Sequence, residues 1–165
     1  MTSKIILCLL LAFIPTISLA QAPLTINVNT GLYESSQVLA ADSIKGDLLY
    51  SRALQWVALN YKSANDVIQY KDAEVRKIII KGNFPIFMFL KDGWIRHTLT
   101  LEFKDGRYRY IFSNFVYYSS GTGDMPFENK LMSKNKLLAV TNEKISNSIN
   151  SIDAYLKKKN QEDNW

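Results

Sequence analysis

Trp94-Ile95-Arg96-His97-Thr98-Leu99-Thr100-Leu101-Glu102-Phe103-Lys104-Asp105-Gly106-Arg107-Tyr108-Arg109-Tyr110-Ile111-Phe112 alternates apolar and polar residues on both sides of an Asp-Gly pair. Ile95, His97, Leu99, Leu101 and Phe103 fall on one side of a strand, with Arg96, Thr98, Thr100 and Glu102 on the other. That period of two belongs to a sheet with one buried face. Asp105-Gly106 predicts a two-residue hairpin loop in which both residues take positive φ. In the returning strand, Arg107 to Tyr118, Tyr108, Tyr110 and Phe112 share one face, and Arg107, Arg109 and Ile111 the other.

Working outward, Val67 to Tyr70 and Val75 to Lys81 read as strands joined by Lys71-Asp72-Ala73-Glu74, and Pro85 to Leu90 as a further strand or a continuation of the second. Before them, Leu49, Ala53, Trp56 and Val57 recur at helical spacing within Asp47 to Lys62, with Arg52, Gln55 and Asn60 on other faces. Ser63-Ala64-Asn65-Asp66 closes that helix. A first strand is expected near Gln37 to Ala40, after a leader over residues 21–35. Beyond the hairpin, Ser119 to Asp124 is a loop, and the chain turns helical from about Phe127. Ile145, Ile149, Ile152 and Leu156 would cover the sheet's inner face. The expectation is an α+β domain over residues 36–158 with a polar tail over 159–165. Its architecture is one curved antiparallel sheet of about five strands, order β-α-β-β-β-β-α, with helices on one face.

Lys4 precedes an apolar run from Ile5 to Ile14, and Ser18-Leu19-Ala20 supplies the small-x-small pattern of a cleavage site. A signal peptide over 1–20 is therefore expected, with Gln21 first in a periplasmic or secreted protein that keeps no transmembrane anchor. The apolar run is about half of the ~20 residues that a spanning helix needs. Cys8, the sole cysteine, would be lost with the signal, which leaves no thiol for disulfides, metal binding or nucleophilic attack. The formal charge of +5 would fall to about +4 with the loss of Lys4, a balance that selects no partner. Lys157-Lys158-Lys159 reads as a solvated helix end.

Catalytic chemistry has few candidates. His97 is the only histidine, it alternates inward, and no Gly-x-Ser-x-Gly elbow accompanies it. One histidine without cysteine cannot fill a zinc ligand set. Asp42, Asp47, Asp66, Asp72, Glu74, Asp92, Glu102 and Asp105 mostly sit beside turns, where carboxylates bond local amides. Gly121-Thr122-Gly123 lacks the Gly-Lys-Ser/Thr ending of a phosphate loop. No catalytic residue, cofactor or metal ligand is assigned.

Three pieces together, Leu49-Tyr50-Ser51-Arg52-Ala53-Leu54-Gln55-Trp56, Ser63-Ala64-Asn65-Asp66-Val67-Ile68-Gln69 and Lys104-Asp105-Gly106-Arg107-Tyr108-Arg109-Tyr110, resemble the bacterial domain of unknown function DUF4468 over roughly residues 36–119. The acidic-Asn-Trp ending is similar to tails that often follow that domain. Lys45 and Arg76 depart from the family pattern, which favours serine and glycine there. The resemblance implies a TBP-like fold and an exported bacterial setting, and it implies no activity or site residues. Fold does not give function, and an exported chain would be sent away from the chromosome, so no nucleic-acid partner is expected.

Trp94, Arg96, Arg107, Arg109, Tyr117 and Tyr118 combine arginine with aromatic residues on or beside the hairpin, the composition of interface anchors. The first expectation is therefore a non-catalytic exported binding or interaction module whose partner is an envelope protein, peptide or glycan. The alternative is a small-molecule or lipid carrier with its pocket between the curved sheet and the C-terminal helix.

Overall fold

The computed structural model describes residues 22–88 and 90–158; the expected signal peptide and the tail lie outside the described residues. The elements are β1 (Thr25–Ile26), β2 (Tyr33–Ala40), α1 (Gly46–Asn60), α2 (Ala64–Val67), β3 (Ile68–Asp72), β4 (Lys77–Met88), β5 (Lys91–Lys104), β6 (Arg107–Ser119), β7 (Gly123–Pro126) and α3 (Lys134–Leu156). All strand pairs are antiparallel, in the order β1-β2-β6-β5-β4-β3, with β7 on the far half of β6. The sheet thus has seven strands where about five were expected. The two additions, β1 and β7, span two and four residues, too short to carry a period. β1 and the start of β2 also lie within the expected leader.

Other boundaries move for local reasons. Val75–Lys81 and Pro85–Leu90 fuse into the single strand β4, which pairs with β5 from Lys77 to Met88. Only Lys77 to Ile80 of it also pairs with β3. Ser63–Asp66 does not simply end a helix, because Ala64–Val67 winds one further short turn. The last helix starts at Lys134, after Phe127 and Leu131 have anchored the intervening loop in the core.

Only Gly106 of the Asp105-Gly106 pair takes positive φ, +72°, which corrects the expected turn geometry. Tertiary bonds hold this turn. Gly106 donates to Ile44 O at 2.9 Å and accepts from Ala41 N at 2.8 Å, while Asp105 Oδ1 accepts from Gly46 N at 2.8 Å. The hairpin turn therefore caps the start of α1, where the side chain of Lys45 makes no capping bond. Arg76, itself left-handed at φ 51°, donates to Asp47 at 2.5 Å and lies 3.8 Å from Asp105.

One face of the sheet carries the helices. Leu49, Ala53, Trp56 and Val57 of α1 and Ile145, Ile149, Ile152 and Leu156 of α3 are buried in one core with Leu99, Leu101, Tyr110 and Phe112. Each of the Leu, Ile, Val and Phe side chains among them contributes ~1.5–3 kcal/mol by leaving water. Trp56 Nε1 donates to Ser151 Oγ at 3.0 Å, tying α1 to α3. Arg52, expected away from the packed stripe, is buried, and its guanidinium donates to Leu156 O at 2.5 Å. This satisfies a carbonyl at the end of α3, where positive charge is favoured.

Midway along the hairpin the register breaks. Arg96 pairs with Val116 but Thr98 pairs with Ser113, so His97 faces two residues, Asn114 and Phe115. Asn114 adopts φ 55°, the bulge geometry that asparagine tolerates. Inward residues on β6 are even-numbered up to Phe112 and odd-numbered from Phe115.

Candidate functional site

The face of the sheet away from α1 and α3 carries polar and aromatic side chains in cross-strand rows. One row runs Val38, Arg109, Glu102, Lys77, Asp72 across β2, β6, β5, β4 and β3. Arg109 Nε donates to Glu102 Oε2 at 2.8 Å and its Nη2 makes a second, short bond to the same oxygen. Lys77 Nζ lies 3.2 Å from Oε1. Partial burial pushes the Glu102 carboxyl up, but hydrogen bonds and charge from Arg109 and Lys77 outweigh it and hold the group below its ordinary range. Asp72 is also held low, by the amide of Val75 and the hydroxyl of Tyr70, whose Oη donates at 2.8 Å.

Around this row lies a groove of about 640 Å³, with Val38, Tyr70 and Val75 as its exposed apolar lining. Lys77, Lys104, Arg107 and Arg109 also line it, against the single carboxylate of Glu102. Neither Lys104 nor Arg107 has an ion-pair partner among the described residues. The groove is a net cation whose two free charges sit at the hairpin end.

The six residues marked from sequence do not form one surface. Trp94, Arg96 and Tyr118 gather at one end of the outer face: Trp94 pairs with Tyr118, and the Arg96 guanidinium stands 4.5 Å from the Tyr118 ring centre. Arg96 is already neutralised by Asp124 at 2.7 Å. Arg107 and Arg109 lie at the other end, with the six residue steps from Arg96 to Glu102 spanning ~20 Å of extended strand. Tyr117 is the correction. The Asn114 bulge turns it to the inner face, where it is 6% exposed. Val38, Tyr70, Lys77 and Glu102 were not marked from sequence; the pairing of Glu102 with Arg109 was legible, since both stand three residues from the Asp105-Gly106 loop.

His97 is 3% exposed and stacks on Phe84 at 4.1 Å between ring centres. Its Nδ1 lies 3.3 Å from Ile95 O, and its Nε2 has no hydrogen-bond partner. Burial, only partly opposed by the Ile95 carbonyl, depresses its pKa from 6.5 to about 4. The imidazole is a neutral core group, and among the described residues no carboxylate bonds it. Among the described residues, no three His, Cys, Asp or Glu side chains gather as metal ligands, and no helix is long and apolar enough to cross a membrane.

No curated protein matches the chain. Among solved structures, a TBP-like protein from Parabacteroides distasonis is similar at TM-score 0.69 and 10% identity, covering 81% of this chain and 97% of its own. A DUF4468 family protein from Bacteroides ovatus is similar at TM-score 0.61 and 11% identity, covering 80% and 90%. At these identities the likeness is one of fold. Residues 36–118 match the family described as a domain of unknown function (DUF4468) with TBP-like fold, and the chain belongs to that family.

Proposed function

We propose that the protein is a non-catalytic interaction module of the cell envelope, and that its open sheet face docks an acidic segment of a partner protein. The observation that carries this reading is the groove around Arg109. It joins exposed Val38, Tyr70 and Val75 to Lys104 and Arg107, two cations without ion-pair partners among the described residues. Complementary charge steers encounter and sets register, and the apolar groups supply contact area. Arg109 and Lys77 are spent on Glu102, so the unpaired charges at the hairpin end supply the selectivity. Export through a signal peptide cut after Ala20 places this surface outside the cytoplasm.

Ile145, Ile149, Ile152 and Leu156 pack into the core at the centre of the sheet-helix interface, which weighs against a carrier pocket at that centre. The test is photocrosslinking in intact cells from a reactive residue at Val38, with and without Lys104→Glu plus Arg107→Glu. The expected result is one envelope protein crosslinked through an acidic segment and lost in the double variant, at an unchanged melting temperature. Crosslinks that survive charge reversal would overturn the docking mode. N-terminal sequencing of the recovered protein should begin at Gln21; a chain beginning at Met1 would overturn the export reading.

A further inference from the structure

At the opposite end of the molecule, on the helix-bearing face, β4, β6, β7 and the start of α3 enclose a pocket of about 440 Å³. Its wall is apolar: Met88, Tyr117, Leu131 and Leu137 are buried, Met125 is half-buried, and Met132 stands 79% exposed at the side. Two glycines shape it. A Cβ at Gly93 would fall 2.9 Å from Tyr117 Cε2, so the bare backbone of β5 is what lets that ring lie flat. A Cβ at Gly121 would fall 2.8 Å from Lys91 Nζ, so the Lys91 amine rests against the backbone of the β6–β7 turn. In the same turn Ser119 Oγ and Thr122 Oγ1 are 3.0 Å apart, and both residues line the pocket. Lys91 has no ion-pair partner among the described residues.

We infer that this pocket binds a free medium-chain alkyl carboxylate, its head on Lys91 and the Ser119–Thr122 turn and its chain among Met88, Met125 and Leu137. The polar groups gather at the β6–β7 turn, which Lys91 reaches from the start of β5, and the apolar ones lie elsewhere, as an amphiphile requires. An ammonium without an ion-pair partner among the described residues calls for an anion, while Thr122 Oγ1 already donates to Gly123 O. Volume bounds the length from above, since the pocket is partly open to solvent. At ~30 Å³ per non-hydrogen atom, the share that a water takes in the liquid, the pocket holds roughly a dozen to fifteen, which is decanoate or dodecanoate. Methionine side chains adapt to a flexible chain without a fixed shape. The inference is independent of the docking groove, and it gives the carrier alternative a site beside the first turns of α3.

Three of the chain's four methionines line the pocket, so the full chain labelled with ¹³C at the methionine methyls reports on it directly. Titration with dodecanoate below its micelle concentration should shift Met88, Met125 and Met132 together and saturably. Lys91→Met, a change at an exposed position, should weaken dodecanoate at least tenfold and leave dodecanol binding unaltered. Unmoved methionine signals would overturn the site. Equal dodecanoate affinity in the Lys91→Met variant, or dodecanol binding as tightly as dodecanoate to the unaltered protein, would overturn the assignment of an anionic head.

Discussion

His97 shows how a single side chain couples this fold to pH. In the folded protein its pKa falls from 6.5 to about 4, so the unfolded chain binds the proton more readily. The contribution is complete above 6.5 and is lost as pH falls from 6.5 towards 4, at a cost of about 3 kcal/mol for a depression of that size. Urea unfolding at pH 7 and pH 4.5 should show this loss, and His97→Leu should flatten it. A loss that remained in the variant would assign it to other groups. Asp72 and Glu102 are held low as well, so their contribution is present above the ordinary carboxylate range and fades at more acid pH. At this scale the sequence was readable wherever alternation was unbroken: Ile95, His97, Leu99, Leu101 and Phe103 all face inward. Tyr117 was not readable, because one left-handed asparagine changes the parity of everything after it and no periodicity announces that.

Among the elements, Lys45 and Arg76 show how hairpin and helix fit together. Lys45 supplies no cap, and Asp105 reaches from the β5–β6 turn to do so. Arg76 holds a left-handed conformation that glycine would adopt freely, while its guanidinium draws Asp47 and Asp105 together. Asp105→Ala should therefore cost about 1 kcal/mol in chemical denaturation, as for a lost N-cap, although the residue lies far from the helix in sequence. Arg52→Ala should cost about 1.5–3 kcal/mol, the range for a hydrogen bond to a charged group, because it frees a carbonyl at the end of α3 104 residues away. Arg52→Lys should recover part of that. The helix stripes and the long hairpin were legible from spacing alone, whereas the place of β2 beside β6 was not. β1, β7 and the late start of α3 were not, since pairing partners and buried anchors such as Phe127 decide them, not local propensity.

Across the whole molecule, the two layers leave two sites back to back and at opposite ends: a cationic groove on the open face and an apolar pocket on the covered one. Charge reversal at Lys104 and Arg107 should leave dodecanoate affinity within twofold of its starting value, and Lys91→Met should leave partner crosslinking intact, since the sites share no lining residue. Coupling between them, measured by repeating each assay in the other variant, would place both in one cooperative unit. The fold class could be read from the sequence because alternation and helical spacing are written along the chain. The groove could be read only in part. Arg107 and Arg109 were visible, but Tyr70 and Lys77 join them through strand pairings that no linear pattern encodes. The edge of the sheet carries a last consequence. The pairing of β3 ends at Ile80, so among the described residues Lys81 to Met88 runs on with one flank unpaired, the kind of border along which copies of a protein zip into fibres. Pro85 interrupts that border with a nitrogen that has no hydrogen to offer. Pro85→Thr should turn a clear concentrated solution turbid, with thioflavin-positive filaments, while the original chain stays dispersed.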